Sequence, residues 1–329
     1  MLHHTSFRFC LLFRLARAGF VCLLGFAALI ASPSVRAGTE PLTILLDWFV
    51  NPDHGPLIVA ERKGFFADEG LEVRFIEPAD PNDPPKLVAA GKADLAVSYQ
   101  PQLHMQAAAG LPLVRIGTLI ATPLNTVLVL ADGPIRSIAD LKGRTVGFSV
   151  GGFEDAMLKT MLARYGLGLK DIRLVNVNFS LSPSLLSGQV DAVIGAYRNF
   201  ELNQLAIEGR PGRAFYVEEE GVPAYDELIL VANRTRIDDP RLPKVLRALE
   251  RGVQYLVNHP DEAWTLFAGY KKGLDDELNR RAWRDTLPRF ALRPAALDRG
   301  RYVRFAAYLE AQGLITAPPP VDTYAIALP

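Results

Sequence analysis

The residue types best suited to chemistry gather in three short turns. The first reads Asp47-Trp48-Phe49-Val50-Asn51-Pro52-Asp53-His54 and follows the apolar run 42–46. Asn51-Pro52-Asp53 carries turn chemistry and a helix pattern begins at Gly55-Pro56. A carboxylate, an indole, an amide and an imidazole therefore sit at the carboxyl end of a strand. In open α/β sheets that edge is where ligands bind. In the second turn, 147–155, Gly151 and Gly152 let the backbone approach a ligand at a helix N-terminus, beside Phe153. Glu154 and Asp155 in the first helical turn argue against a phosphate there: they repel an anion while matching the helix dipole. Dipole matching alone is the other reading of both. The third turn, Tyr197-Arg198-Asn199-Phe200-Glu201, again places an aromatic, an amide and a carboxylate after a strand pattern. Arg198 has two readings, a ligand contact or a partner of Glu201. Tyr99, after the strand pattern ending at Val97, and Tyr225 extend the set.

Together these turns offer carboxylates at 47, 154 and 201, aromatics at 48, 99, 153, 197 and 225, and one cation, Arg198. Nitrate, sulfonate and phosphate need donors and positive charge, so they fit badly. Sugars remain open. A flat, electron-poor heterocycle with amino groups fits better, stacking on indole or phenol faces while a carboxylate accepts from a ring N–H and its exocyclic amine. Catalysis has less support. Outside the N-terminal segment the histidines are His54, His104 and His259, without metal-ligand spacing, and there is no G-x-S-x-G elbow. His54 beside Asp53 is the one pair that could supply a base. No metal and no cofactor are expected.

The elements that must position these turns alternate strand and helix. Strand patterns at 42–46, 71–76, 93–97 and 113–119 are separated by helix patterns at 56–66, from 86 and at 100–109, which indicates βαβ units and a mainly parallel sheet. After Asp132-Gly133-Pro134 the rhythm restarts, with strands at 145–149, 172–177 and 191–196 and helices at 153–165, 182–187 and to about 208. From 239 only helix periodicity remains, led by the stripe Leu242, Val245, Leu246, Leu249, Val253 and Leu256. The expected fold class is α/β, with two lobes, the second inserted into the first: 38–130 with 228–329, and 131–227. Chain crossings near 127–132 and 226–232 would form the hinge.

Residues 1–37 read as a secretory signal, with Arg8, Arg14 and Arg17 before the apolar run 18–31 and Val35-Arg36-Ala37 at the expected cleavage point. That run is short of the roughly 20 residues a membrane span needs. Cys10 and Cys22 both lie inside residues 1–37, so the mature chain would have neither disulfide nor thiol chemistry. Of 36 basic and 36 acidic residues, cleavage removes four arginines, leaving a net charge near −4 that favours neither nucleic acid nor an anionic membrane.

The chain resembles the NMT1/THI5-like group of periplasmic substrate-binding proteins, which serve ABC importers and share a fold with the fungal synthase of the thiamine pyrimidine. The resemblance rests on the 46–54 turn, on Ala60-Glu61-Arg62-Lys63-Gly64-Phe65-Phe66 with Glu69-Gly70-Leu71, on Gly91-Lys92-Ala93-Asp94, and on Gly151-Gly152-Phe153-Glu154 and Arg198-Asn199-Phe200-Glu201. The K-G-F-F and G-K-A-D pieces identify the superfamily; the D-W-x-x-N-x-x-H turn is similar to the hydroxymethylpyrimidine or formylaminopyrimidine branch. The resemblance implies a type II periplasmic-binding-protein fold, two Rossmann-like lobes joined by a two-segment hinge, closing on a ligand. It implies a periplasmic monomer that delivers a thiamine-precursor pyrimidine to an ABC transporter permease. On that reading Trp48 and Tyr197 stack on or edge the ring and Glu154 and Glu201 accept its N–H groups. Asp47, Asn51 and His54 form one wall, the Gly151-Gly152 amides line the other, and Tyr99, Phe153, Asn199 and Tyr225 complete the site. Two features depart from the family. Val50 stands where the common turn has proline, and Val97-Ser98-Tyr99-Gln100 lacks the lysine by which the synthase resembles a cofactor-binding enzyme. Riboflavin, an alkylsulfonate such as taurine or a nucleobase are the alternative ligands, and an exported enzyme using His54 and Asp53 the alternative class.

Overall fold

Short apolar runs ending in glycine or turn residues form strands, and the amphipathic segments between them form helices. The computed structural model describes residues 39–328; the expected signal segment, with both cysteines, lies outside them. In chain order the strands are β1 (Glu40–Leu45), β2 (Leu71–Ile76), β3 (Leu95–Ser98), β4 (Leu113–Ile120), β5 (Asn125–Leu130), β6 (Thr145–Phe148), β7 (Arg173–Asn176), β8 (Ala192–Tyr197), β9 (Gly212–Tyr216) and β10 (Leu228–Asn233). They build two five-stranded sheets, ordered β2-β1-β3-β10-β4 and β7-β6-β8-β5-β9. The helices are α1 (Gly55–Arg62), α2 (Phe65–Asp68), α3 (Pro84–Ala89), α4 (Gln100–Ala108), α5 (Phe153–Ala163), α6 (Leu181–Leu186), α7 (Glu201–Ile207), α8 (Arg241–Asn258), α9 (Pro260–Ala268), α10 (Glu277–Thr286) and α11 (Arg299–Ala311). The fold is α/β with two lobes, as expected from the strand–helix rhythm.

Each sheet is parallel among the strands that βαβ units join and antiparallel where the chain arrives from the other lobe. Thus β1 runs parallel to β2 and β3, and β6 to β7 and β8. β10 is antiparallel to β3 and β4, and β5 to β8 and β9. This corrects the first lobe boundary. The sequence reading keeps 126–130 in the first lobe, but β5 is hydrogen-bonded between β8 and β9 in the second sheet, so the first crossing falls between Ile120 and Asn125. An apolar run does not announce which sheet it joins, because both sheets bury it equally. The expected helix over 56–66 also divides: Gly64 adopts a left-handed φ of 74° and starts a new short helix at Phe65.

The C-terminal helices close the back of the molecule. The apolar stripe of α8 packs on α1, with Gly252 so near that an added Cβ would lie 2.5 Å from the Pro56 carbonyl. α10 touches both the 52–54 turn and α7, and the Tyr308 hydroxyl of α11 meets Thr160 of α5 at 2.6 Å, so these helices contact both lobes. The tail is fastened by Arg115 of β4. Its fully buried guanidinium donates to the carbonyls of Pro294 at 3.1 Å, Ala295 at 3.2 Å, Ala296 and Ile326 at 3.0 Å, and to Thr118 Oγ1 at 2.7 Å. Arg115→Ala orphans these acceptors and should cost about 3–5 kcal/mol, read as a lower urea midpoint with an unchanged slope.

Candidate functional site

The ends of β1, β6 and β8 converge on a cavity lined by residues of both lobes. From the first lobe come Asp47, Trp48, Asn51, Asp53 and Tyr99. The second supplies Val150, Phe153, Glu154, Leu181, Gly195, Tyr197, Phe200 and Glu201. No lysine, arginine or histidine stands among them.

The first wall is the turn after β1. Asn51 caps the 3-10 turn Pro52–His54, its Oδ1 accepting the Asp53 backbone N–H at 2.8 Å. His54 is completely buried; its Nδ1 accepts the Asn51 backbone N–H at 3.3 Å, so the proton sits on Nε2, 2.9 Å from Asp47 Oδ1. The other Asp47 oxygen accepts the Tyr99 hydroxyl at 3.0 Å. Glu77 accepts the Val50 backbone N–H at 2.8 Å and the Lys271 ammonium at 2.7 Å, holding the turn from behind.

The second wall is built on two glutamates, each at the start of a helix. Glu154, in the first turn of α5, accepts the backbone N–H groups of Ser149 at 2.8 Å and Val150 at 3.1 Å with one oxygen, Oε2. Glu201 opens α7 and accepts the Tyr197 N–H at 2.7 Å, also with Oε2. Among the described residues the Oε1 atom of neither has a hydrogen-bond partner. Room for Glu154 comes from Gly195. That residue is a β-bulge: Thr126 and Val127 of β5 pair with Ala196 and Ile194, skipping it, and Asn125 Oδ1 accepts its N–H at 3.0 Å. Its φ is +95°, and an added Cβ would lie 2.7 Å from the Glu154 carboxyl carbon.

Burial disfavours the ionised form of these acids. It pushes Glu154 up to about 8, Glu201 to about 7 and Asp53 to about 6. The buried phenols Tyr99 and Tyr197 are likewise held well above their ordinary value by burial, then by nearby carboxylates. Aromatics from the two lobes meet at the cavity: Tyr99 lies 5.0 Å from Phe153, and Trp48 4.6 Å from Phe179 in an edge-on contact.

Of the residues singled out from the sequence, Asp47, Trp48, Asn51, Tyr99, Phe153, Glu154, Tyr197 and Glu201 line the cavity. Five do not. His54 stands behind Asp47. Gly151 and Gly152 are exposed, and the Gly151 N–H turns to Asn82 Oδ1 at 3.0 Å. The amides expected to line the site thus do not reach the cavity, and the preceding backbone N–H groups, of Ser149 and Val150, are taken by Glu154. Asn199 is buried against the first lobe, donating to Asp53 Oδ1 and Thr286 Oγ1, each at 2.7 Å. Tyr225 is buried at the second crossing, its hydroxyl donating to Glu227 at 3.0 Å. Arg198 takes neither of its two readings: it forms a bidentate pair with Glu218 at 2.7 and 2.8 Å and lies over the Tyr216 ring. His54 and Asp53 make no hydrogen bond to each other. Sequence reasoning passed over Asp53 as a cavity residue, along with Val150, Leu181, Gly195 and Phe200. A glycine inside an apolar strand pattern was the available signal for Gly195. Among the described residues no cluster of three or more His, Cys, Asp or Glu is arranged for a metal.

The family model described as "NMT1/THI5 like" matches residues 51–263. The chain belongs to this family. It is 57% identical to a putative thiamine biosynthesis protein of Haemophilus influenzae over 88% of this chain and 92% of that one. It is 38% identical to the formylaminopyrimidine-binding protein of Halalkalibacterium halodurans, over 68% of each. A 4-amino-5-hydroxymethyl-2-methylpyrimidine phosphate synthase of Uromyces fabae is 30% identical over 74% of each. Among solved structures, the alkanesulfonate-binding protein SsuA of Xanthomonas axonopodis pv. citri superposes with a TM-score of 0.70 at 19% identity, covering 88% of this chain and 99% of that one. The fold is thus that of the periplasmic binding proteins.

Two outcomes test this geometry. Gly195→Ala should displace the Glu154 carboxyl and cost about 1–3 kcal/mol, seen as a lower melting temperature of the ligand-free protein. Because Glu154, Glu201 and Asp53 titrate above their unfolded values, these three groups together hold more protons in the folded chain than in the unfolded one from about pH 4 to 8, outweighing His104, which burial pushes down to about 3. Their contribution is complete below that window and lost as pH rises through it. Urea unfolding of the ligand-free protein should show stability falling from pH 5 to 8, and Glu154→Gln should flatten the slope.

Proposed function

We propose that this chain is the periplasmic solute-binding component of an ABC importer, capturing a thiamine-precursor aminopyrimidine between its lobes and handing it to a membrane permease. The secretory pattern of residues 1–37 and the binding-protein fold support the location. The name of the Halalkalibacterium relative supports the ligand class. The observation that carries the reading is the pair Glu154 and Glu201. Each has one oxygen committed to backbone N–H groups and the other left without a protein partner, in a cation-free aromatic cavity.

A 4-aminopyrimidine presents an amine donor beside a ring-nitrogen acceptor. Glu154 Oε2 is already an acceptor of two backbone N–H groups, so in the neutral acid the proton belongs on Oε1, where it can be given to a ring nitrogen. Glu201 in its ionised form accepts the amine. Trp48 and Tyr197 supply the faces and edges for the ring. Sulfonate or phosphate would meet no cation in the lining, only carboxyls, phenols, an indole and an amide. The relation to the synthases leaves binding the better reading, since His54 has both nitrogens engaged within the first turn.

A thermal-shift titration of residues 38–329 with hydroxymethylpyrimidine, its formylaminomethyl analogue, thiamine, riboflavin and taurine tests the assignment. The aminopyrimidines alone should raise the melting temperature, with about 2.7 kcal/mol added at 100 times Kd. Glu201→Gln should weaken that binding by about 1.5–3 kcal/mol in calorimetry. A shift with taurine alone, or multiple-turnover conversion of the pyrimidine, would sink the reading.

A further inference from the structure

The first lobe's wall has one polar oxygen with nothing to do. Both oxygens of Asp47 are occupied, by His54 and Tyr99. Asn51 is occupied too, its Oδ1 accepting the Asp53 N–H and its Nδ2 donating to the Phe49 carbonyl at 3.1 Å. Asp53 differs. Its Oδ1 accepts Asn199 Nδ2 at 2.7 Å and Thr286 Oγ1 at 3.1 Å, while Oδ2 is buried with no hydrogen-bond partner. The residue is 1% exposed and lines the cavity, across from the two glutamates of the second lobe. A buried carboxylate oxygen left without a donor costs free energy, and the cost is removed when a ligand brings one.

We propose that Asp53 is a specificity-determining residue, its Oδ2 accepting a hydrogen bond from a hydroxyl or amine on the ligand's side arm while Glu154 and Glu201 hold the ring. The proposal rests on the aminopyrimidine reading above. It narrows the ligand to ring systems that carry a second, separate donor, and it gives the side arm to the first lobe and the ring edge to the second. The Asn199 and Thr286 contacts fix the carboxyl plane, so this interaction is available only when the two lobes are together and α10 is seated between them. A phosphate ester on the same arm would set an anion against Asp53.

The test compares three probes by calorimetry: 4-amino-5-hydroxymethyl-2-methylpyrimidine, its 5-aminomethyl analogue, and 4-amino-2,5-dimethylpyrimidine, which lacks the arm's donor. The wild-type protein should bind the first two about 10–100-fold more tightly than the third, the range of a hydrogen bond to a charged group. Asp53→Asn keeps an oxygen for Asn199 and Thr286 but turns an amide N–H₂ toward the arm. It should reduce that preference for the hydroxymethyl compound to under about threefold and abolish it for the amine, leaving the dimethyl compound's affinity within threefold of wild type. Asp53→Ala should erase the preference likewise, and a melting scan of each free variant reports its folding. Equal loss of affinity for all three probes in a folded Asp53→Asn protein would make Asp53 merely structural and overturn the proposal. An undiminished preference would overturn it as well. Failure of the wild-type protein to bind any of the three would instead remove the aminopyrimidine reading, and this inference with it.

Discussion

Carboxyl groups can be buried only if something satisfies them, and here they are gathered around one cavity without a lysine, arginine or histidine in its lining. The protein meets that demand with backbone N–H groups. Helix α5 begins where it does so that Ser149 and Val150 can donate to Glu154; α7 begins so that Tyr197 can donate to Glu201. The bulge at Gly195 clears the space, and Asn125 serves the N–H that the bulge leaves over. Strand ends, helix starts and the bulge are all consequences of placing acids in a low-dielectric site.

The same economy governs the crossings between the lobes. Glu227, fully buried and pushed up to about 7 by burial, accepts the N–H groups of Leu124 at 2.6 Å and Asn125 at 2.9 Å from the first crossing, and the Tyr225 hydroxyl from the second. Its other oxygen faces the hydroxyl of Tyr197 at 3.4 Å, a cavity residue. Arg198 reaches the Leu124 carbonyl at 3.3 Å while bound to Glu218. One buried acid and one arginine thus tie the two connecting segments to the strand that carries the third site turn.

The fold class and two of the three site turns were legible because they depend on local signals. Apolar runs of strand length, glycine stops and the Asn-Pro-Asp turn each act within a few residues. That Glu154 and Glu201 line the cavity was legible because each follows a strand pattern and begins a helix pattern, which puts it at the carboxyl edge of a sheet. What was not legible depends on partners far along the chain. Arg198 meets Glu218 through the β8–β5–β9 neighbourhood, and β5 joins the second sheet by pairings across about seventy residues. Asp53 reads as a turn former until Asn199 and Thr286 arrive at its side. Gly151 and Gly152 look like a ligand cradle, yet both are exposed and the Gly151 N–H is taken by Asn82, sixty-nine residues earlier in the chain.

Glu154 both stands in the first turn of a helix and lines the cavity, and the two places fall on different oxygens of one carboxyl group. Replacing it therefore also strips two buried backbone donors of their acceptor. A variant of this cavity would have to keep an oxygen at Oε2 and vary only what occupies Oε1, which among the natural amino acids leaves glutamine as the nearest exchange. Asn51 on the opposite wall carries the same kind of obligation, so freedom to change lies with Trp48, Tyr99 and Phe153, whose side chains hold no backbone group.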